Sequence, residues 1–210
     1  MSDGLQDAIA NLEKNEALRM TQERLDADED PQAILEEGRQ GMEIIGKRFA
    51  EGEYFLPELI YSGEIFRQIS EIVKPRLKAD SPTETLGKVI IGTVSGDIHD
   101  IGKDIVVFML DVSGFEVLDL GIDVPAENFV NKIRETGASV VGLSGFLTLA
   151  FESMKDTVDL IKKEGLRDKV MIMIGGGQIY ESIRKYAGAD AFGKDAMTAV
   201  ALAKGWLEAE

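Results

Sequence analysis

The chain is predicted to be a helical bundle followed by an α/β domain built on a doubly wound, five-stranded parallel sheet. Three observations predict it. Roughly the first eighty residues place apolar side chains three and four apart with almost no β-branched runs, which is the spacing of amphipathic helices. After the polar stretch "KADSPTETLG" (78–87) the rhythm changes to short apolar runs alternating with longer amphipathic ones. The only histidine of the 210 residues, His99, then follows directly on the first of those runs.

Taken in order, "GLQDAIANLEK" (4–14) and "ALRMTQERLDA" (17–27) each predict an amphipathic helix. A third starts after Asp30, whose side chain suits a helix cap, with Pro31 in the first turn. Its apolar face would carry Ile34, Leu35, Met42, Ile45 and Phe49. A fourth, over 56–77, tolerates Pro57 near its start and meets a kink or a stop at Pro75. Four helices with short connections make a bundle over 1–80, and 81–87 reads as a linker.

From residue 88 to 210, "KVIIGTV", "FEVLDLG", "SVVGLSG", "KVMIMIGGG" and the weaker "ADAFG" have the character of strands, with amphipathic helices between them. Such alternation gives a parallel sheet covered on both faces. Five units imply the flavodoxin-like order 2-1-3-4-5, whose ligands bind beyond the carboxyl ends of the strands where the order reverses. The segments there are "SGDIHDIG", "SGFLT" and "GGGQ".

Composition removes several function classes. A net charge of −15 lacks the basic footprint of a nucleic-acid binder and is repelled by anionic membrane surfaces, so neither partner is expected. No apolar run reaches membrane-spanning length. The absence of cysteine excludes a disulfide framework, a zinc knuckle and a cysteine-ligated iron–sulfur cluster. The N-terminus has neither the basic start nor the apolar core of a signal peptide, and a cytoplasmic location is expected.

Three chemistries compete for His99. A phosphate loop fails because five residues separate Gly96 from Gly102, where that pattern has four, and Asp104 stands in place of the Ser or Thr that holds magnesium. Response-regulator chemistry needs an aspartate after the third strand, and the chain offers Ser144. Metal ligation remains, since imidazole is a common ligand and a carboxylate on its far nitrogen, here Asp97, fixes the tautomer. One histidine without cysteine is a poor set for bare zinc. A single protein ligand makes sense when a macrocycle supplies the rest, which leaves haem or a corrin.

The pattern Asp97-x-His99-x-x-Gly102 resembles the signature of cobalamin-binding proteins. "LSGFLT" (143–148) is similar to that family's S-x-L segment, and "IGGGQ" (174–178) to its double-glycine segment. The resemblance implies cobalamin or a related cobamide bound with its lower base withdrawn into a slot beside the sheet. His99 would be the axial cobalt ligand, oriented and tuned by Asp97. It implies further cofactor contacts from Gly96, Ile98, Asp100, Ile101 and Gly102, and from Ser144, Gly145, Leu147 and Thr148. Gly175, Gly176 and Gly177 follow strand four, and Phe192 and Gly193 close strand five. Small residues at Gly102, Ser144, Gly145 and Gly175 to Gly177 are expected because a side chain would fill the slot. Ser144 and Thr148 would also donate hydrogen bonds to the cofactor tail. Some relatives extend the Asp–His relay through a serine at the position held here by Ala150.

"GKRFAEGEYFLPELIYSGEIF" (46–66) resembles the helical cap before the corrin domain of methionine synthase. It is more similar to the small corrinoid subunits of anaerobic methanol, methylamine and methoxyaromatic methyltransferase systems. The resemblance covers nearly the whole chain. It implies a methyl carrier, not catalytic alone, that cycles between Co(I) and methyl-Co(III). Its partners would be a substrate-specific methyltransferase, an acceptor methyltransferase using tetrahydrofolate or a thiol, and a reductive activator. Phe55, Leu59 and Ile60 would cover the corrin, with 79–87 as a hinge. The alternatives are the cobalamin subunit of an adenosylcobalamin-dependent mutase, which usually lacks the cap, and a cobalamin-sensing regulator, which would need a DNA-binding module.

Overall fold

In a computed structural model, which describes residues 4–77, 85–177 and 179–208, the chain divides into two units, Met1–Glu84 and Thr85–Glu210. Most of the expected linker and hinge, and Gln178 of the glycine segment, lie outside the described residues.

The first unit holds α1 (Leu5–Ala10), α2 (Lys14–Asp26), α3 (Pro31–Ala50) and α4 (Leu56–Val73). At the start of α3 the Asp30 carboxylate accepts from the Gln32 amide at 3.1 Å, and Pro31 fills the first turn. Ile34, Leu35, Met42 and Ile45 are buried on one face of α3, whereas Phe49 is only half-buried. Gly41 lies on the same face, where a Cβ would stand 2.9 Å from Ile9 Cβ, so α1 packs against α3 at close range. Pro75 does stop α4, which gives way to a single 3-10 turn over Lys74–Arg76.

The helix expected over 4–14 ends early, at Ala10, and Leu12 adopts a φ of 60° before α2 begins. The Ala10 carbonyl accepts instead from Arg48 Nη1 (2.5 Å) and the Tyr54 hydroxyl (2.9 Å). Side chains from the far end of α3 and the loop after it thus take the place of the next helical turn, which periodicity does not encode.

The second unit is a sheet of β1 (Lys88–Thr93), β2 (Glu116–Asp119), β3 (Val140–Ser144), β4 (Met171–Gly175) and β5 (Ala191–Gly193). Its order is β2-β1-β3-β4-β5 and every pairing is parallel, as the sequence predicts. Five helices connect and follow the strands: α5 (Ile101–Val112), α6 (Ala126–Thr136), α7 (Ala150–Lys163), α8 (Glu181–Ala187) and α9 (Ala196–Leu207). On one face Ile90, Val141, Leu143, Ile172 and Ile174 pack with Phe129 and Ile133 of α6 and with Met154, Val158 and Ile161 of α7. On the opposite face α5 lies against β1 and β2, and α9 against β4 and β5.

Register sets the site. Thr93 pairs with Ser144, Ser144 with Gly175, and Gly175 with Gly193, so the last residues of four strands stand side by side and all are small. The order reverses between β1 and β3, where crossovers leave to opposite faces and open a crevice.

Asp30→Ala should lower the unfolding free energy of the helical unit by about 1 kcal/mol, with Asp30→Ser close to wild type, in urea titrations followed by circular dichroism.

Candidate functional site

The loop after β1 is built on a tight turn. The Asp97 amide donates to the Val94 carbonyl (3.1 Å), and Gly96 occupies the third position with φ +82°, which a side chain would strain. Two bonds to the β2–α6 loop hold the turn: the Gly96 amide donates to Asp123 Oδ1 (2.7 Å), and the Asp123 amide to the Asp97 carbonyl (3.0 Å). The Asp97 side chain is thereby turned inward and is fully buried.

Four N–H groups converge on that carboxylate. Oδ1 accepts from the His99 amide (2.9 Å) and His99 Nδ1 (2.8 Å), and Oδ2 accepts from the Phe146 (2.7 Å) and Leu147 (2.8 Å) amides. Burial alone would raise the Asp97 carboxyl. The Leu147, His99 and Phe146 amides and the His99 ring outweigh it and hold the pKa down at about 2. A carboxylate only accepts, so the His99 proton sits on Nδ1 and the lone pair of the neutral ring on Nε2. The His99 side chain is 47% exposed, and Nε2 makes no hydrogen bond among the described residues. The His99 carbonyl accepts from the buried Thr93 hydroxyl at 3.3 Å, so backbone and ring are both held.

The relay beyond Asp97 also becomes visible. The outer carboxylate oxygen of Asp97 is filled by two backbone amides, and Ala150 offers it no side-chain partner. Amides hold a charge but pass no proton onward.

The glycines expected to contact the cofactor fall into two groups. At Gly96 and Gly102 a Cβ would meet nothing within 4 Å, and at Gly175 only the Gly193 carbonyl at 3.7 Å. These positions keep open space. At Gly145, Gly176 and Gly177 the structure shows another demand for glycine, because the protein itself occupies the room a Cβ would take. A Cβ on Gly176 would fall 1.8 Å from the Gly145 carbonyl oxygen, one on Gly145 2.5 Å from Ala150 Cβ, and one on Gly177 2.4 Å from the Phe146 ring. There glycine lets the loops after β3 and β4 cross backbone to backbone.

One position is corrected on the ground of burial. Leu59 is only 1% exposed and belongs to the bundle core, so of the expected cap residues Phe55 and Ile60 carry the exposed surface, beside Leu56 and Tyr61. Phe192 is partly buried against the apolar core under the sheet, whereas Gly193 sits half-buried at the strand end. Ser144 is half-buried, and Ile98, Asp100, Ile101, Leu147 and Thr148 are exposed around His99 on the same loops. Lys103, the lysine that mimicked a phosphate loop, is buried between Asp104 (2.7 Å) and Asp119 (2.6 Å). Burial would push its ammonium down, and the two carboxylates more than offset that.

Sequence reasoning missed Phe146, whose ring centroid lies 4.6 Å from that of His99 at 30°. It also missed Asp123 and Thr93, since no spacing rule points to either. The loops and helix starts at the carboxyl ends of the strands expose Ile98, Ile101, Ile122, Phe146, Leu147, Leu149 and Tyr180. That much apolar surface on one end of a sheet marks a ligand face. Among the described residues no group of three or more His, Asp or Glu is placed to hold a bare metal ion, and no helix is long and apolar enough to cross a membrane. One free imidazole nitrogen, an apolar rim and open glycine positions fit a macrocycle that brings its own equatorial ligands.

Residues 87–203 match the family described as the B12 binding domain, and residues 1–74 match a second family of the same description. The chain belongs to the cobalamin-binding corrinoid proteins of methyltransferase systems. This corrinoid protein is 37% identical to dimethylamine corrinoid protein 2 of Methanosarcina acetivorans, over 95% of this chain and 93% of the relative. It is 38% identical to the trimethylamine corrinoid protein of Methanosarcina barkeri, over 96% and 94%. Among solved structures it is similar to a cobalamin-binding protein from Desulfitobacterium hafniense DCB-2 (TM-score 0.80, 39% identity, 96% of both chains). It also superposes on a chain of the methanol:cobalamin methyltransferase complex of Methanosarcina barkeri (TM-score 0.83, 26% identity, 98% of this chain and 79% of that one). Its cofactor is cobalamin or a related cobamide.

The Asp97 carboxyl ionises at about 2 in the folded apoprotein against an ordinary 3.8. Its contribution is therefore complete above pH about 4 and is lost as pH falls toward 2. Asp97→Asn should cost about 2 kcal/mol at pH 7 and flatten that acid limb, measured by denaturant unfolding of apoprotein across pH.

Proposed function

We propose that this corrinoid protein carries a methyl group between two methyltransferases, with its cobamide held base-off and His99 as the axial ligand. The observation that carries the reading is the His99 ring itself. Its Nδ1 is committed to a buried, ionised Asp97, and its Nε2 lone pair points to no protein donor among the described residues. When bound, the cobamide supplies a cobalt that accepts and gives up a methyl group.

The chain supplies everything around it. Asp97 fixes the tautomer and keeps a full negative charge behind the imidazole, which strengthens Nε2 as a donor to metal. Gly96, Gly102 and Gly175 would leave room for the nucleotide tail, and Ser144 and Thr148 would offer hydroxyls to it. The apolar rim excludes water from the ring.

The names of the relatives support the partners. Dimethylamine and trimethylamine corrinoid proteins favour a methylated amine as donor, presented by a substrate-specific methyltransferase. The methanol:cobalamin complex supports direct assembly with such a partner. An acceptor methyltransferase, using a thiol or tetrahydrofolate, and a reductive activator complete the proposed set.

Reconstituted with cobalamin and poised as Co(II), the protein should show hyperfine splitting from one protein imidazole nitrogen in its paramagnetic resonance spectrum. His99→Ala should abolish that splitting, and an unchanged spectrum would overturn the axial assignment. Gly175→Val, which plugs an open position, should weaken cobalamin retention roughly tenfold or more with the fold intact by circular dichroism. Methylation from trimethylamine or dimethylamine, given the matching methyltransferase, should exceed that from methanol.

A further inference from the structure

A half-exposed aromatic ring in a loop is not explained by core packing. Phe146 is 48% exposed, yet it is held from three directions. Its ring lies against the His99 imidazole at 4.6 Å between centroids and 30° between planes. Its amide donates to Asp97 Oδ2, the carboxylate that also holds His99 Nδ1. Gly177 lies against its ring edge so closely that a Cβ there would sit 2.4 Å from Cε2.

The bond from Nδ1 to Asp97 and the covalent bond at Cγ tether one edge of the imidazole and leave the opposite edge, with Nε2, room to pivot. A flat partner against one face stops that pivot. We infer that Phe146 is a positioning residue for the axial imidazole, its ring wedged between Gly177 and His99 so that Nε2 is held in one direction. The inference rests on His99 being the ligand. It assigns the third position of "SGF" a role toward the histidine rather than toward the cofactor tail, and it gives Gly177 a reason: glycine makes room for the wedge. Phe146 contributes the ring to orientation and the amide to the charge, so only the ring is removed by substitution.

The single histidine makes the test direct, because tag-free apoprotein has only one set of imidazole carbon-bound proton signals. In wild type these should lie upfield, under the ring current of Phe146. Phe146→Ala and Phe146→Leu should both release them to free-imidazole positions, and Phe146→Tyr should keep them. Gly177→Ala, which pushes on the Phe146 ring, should move the same signals with both ring residues unchanged in sequence. In cobalamin-loaded protein the release of cofactor should quicken roughly two- to tenfold in the Ala and Leu variants, the range expected for one aromatic pair, and Tyr should restore it. Unchanged His99 signals in Phe146→Ala would overturn the inference. So would a Leu variant that matches wild type in both measurements, since bulk alone would then suffice. The apoprotein spectra report the stack whether or not His99 binds cobalt, and the Co(II) spectrum of His99→Ala reports the ligand whether or not the stack exists.

Discussion

The site hangs on one buried carboxylate. Taking an ionised Asp97 out of water costs several kcal/mol unless donors replace the lost solvent. Here four N–H groups do so, from His99 twice and from Phe146 and Leu147 once each. The arrangement does two things at once. It decides which ring nitrogen of His99 carries the proton, and it ties the loop after β1 to the loop after β3. The imidazole is therefore referenced to the sheet rather than to a free loop, which is what a ligand atom needs to be held in one place.

Loops at the carboxyl ends of a parallel sheet are ordinarily the mobile part of the fold. In this corrinoid protein they are fastened to one another. Asp123 joins the loop after β2 to Gly96 and Asp97, and the loops after β3 and β4 cross with Gly176 against the Gly145 carbonyl. At Gly96 and Gly102, by contrast, a Cβ would meet nothing within 4 Å, and at Gly175 only the Gly193 carbonyl. Packing and vacancy are divided among residues of one type, and composition does not tell them apart.

Much of this was legible in the sequence. The change of period marked the two kinds of structure, the buried face of α3 followed the spacing of Ile34, Leu35, Met42 and Ile45, and five apolar runs implied the sheet order found. Asp97 and His99 were placed by their spacing at the strand end where such folds bind ligands. The end of α1 was not legible, because Arg48 and Tyr54 cap it from 38 and 44 residues away. Nor was Leu59, whose position on α4 is apolar like that of its neighbour Ile60 but points into the bundle. A helix shows its mean face in its period; which residue at the border of that face is covered depends on the neighbouring helix.

By itself the sequence determined the class of each element, the strand order, the identity of the imidazole and its carboxylate, and the kind of cofactor they suit. The first three follow from local periodicity and from residues two positions apart, which the chain brings together in any fold containing that loop. The cofactor follows from the resemblance of three motifs to the cobalamin-binding family. Only the tertiary structure decided what stands behind and beside the imidazole. Two of the three amides that keep Asp97 ionised come from 49 and 50 positions further along. The ring of Phe146 and the crossing at Gly176 likewise join loops from different strands. Those contacts exist because parallel pairing sets Thr93, Ser144 and Gly175 in register, and register is a property of the sheet as a whole.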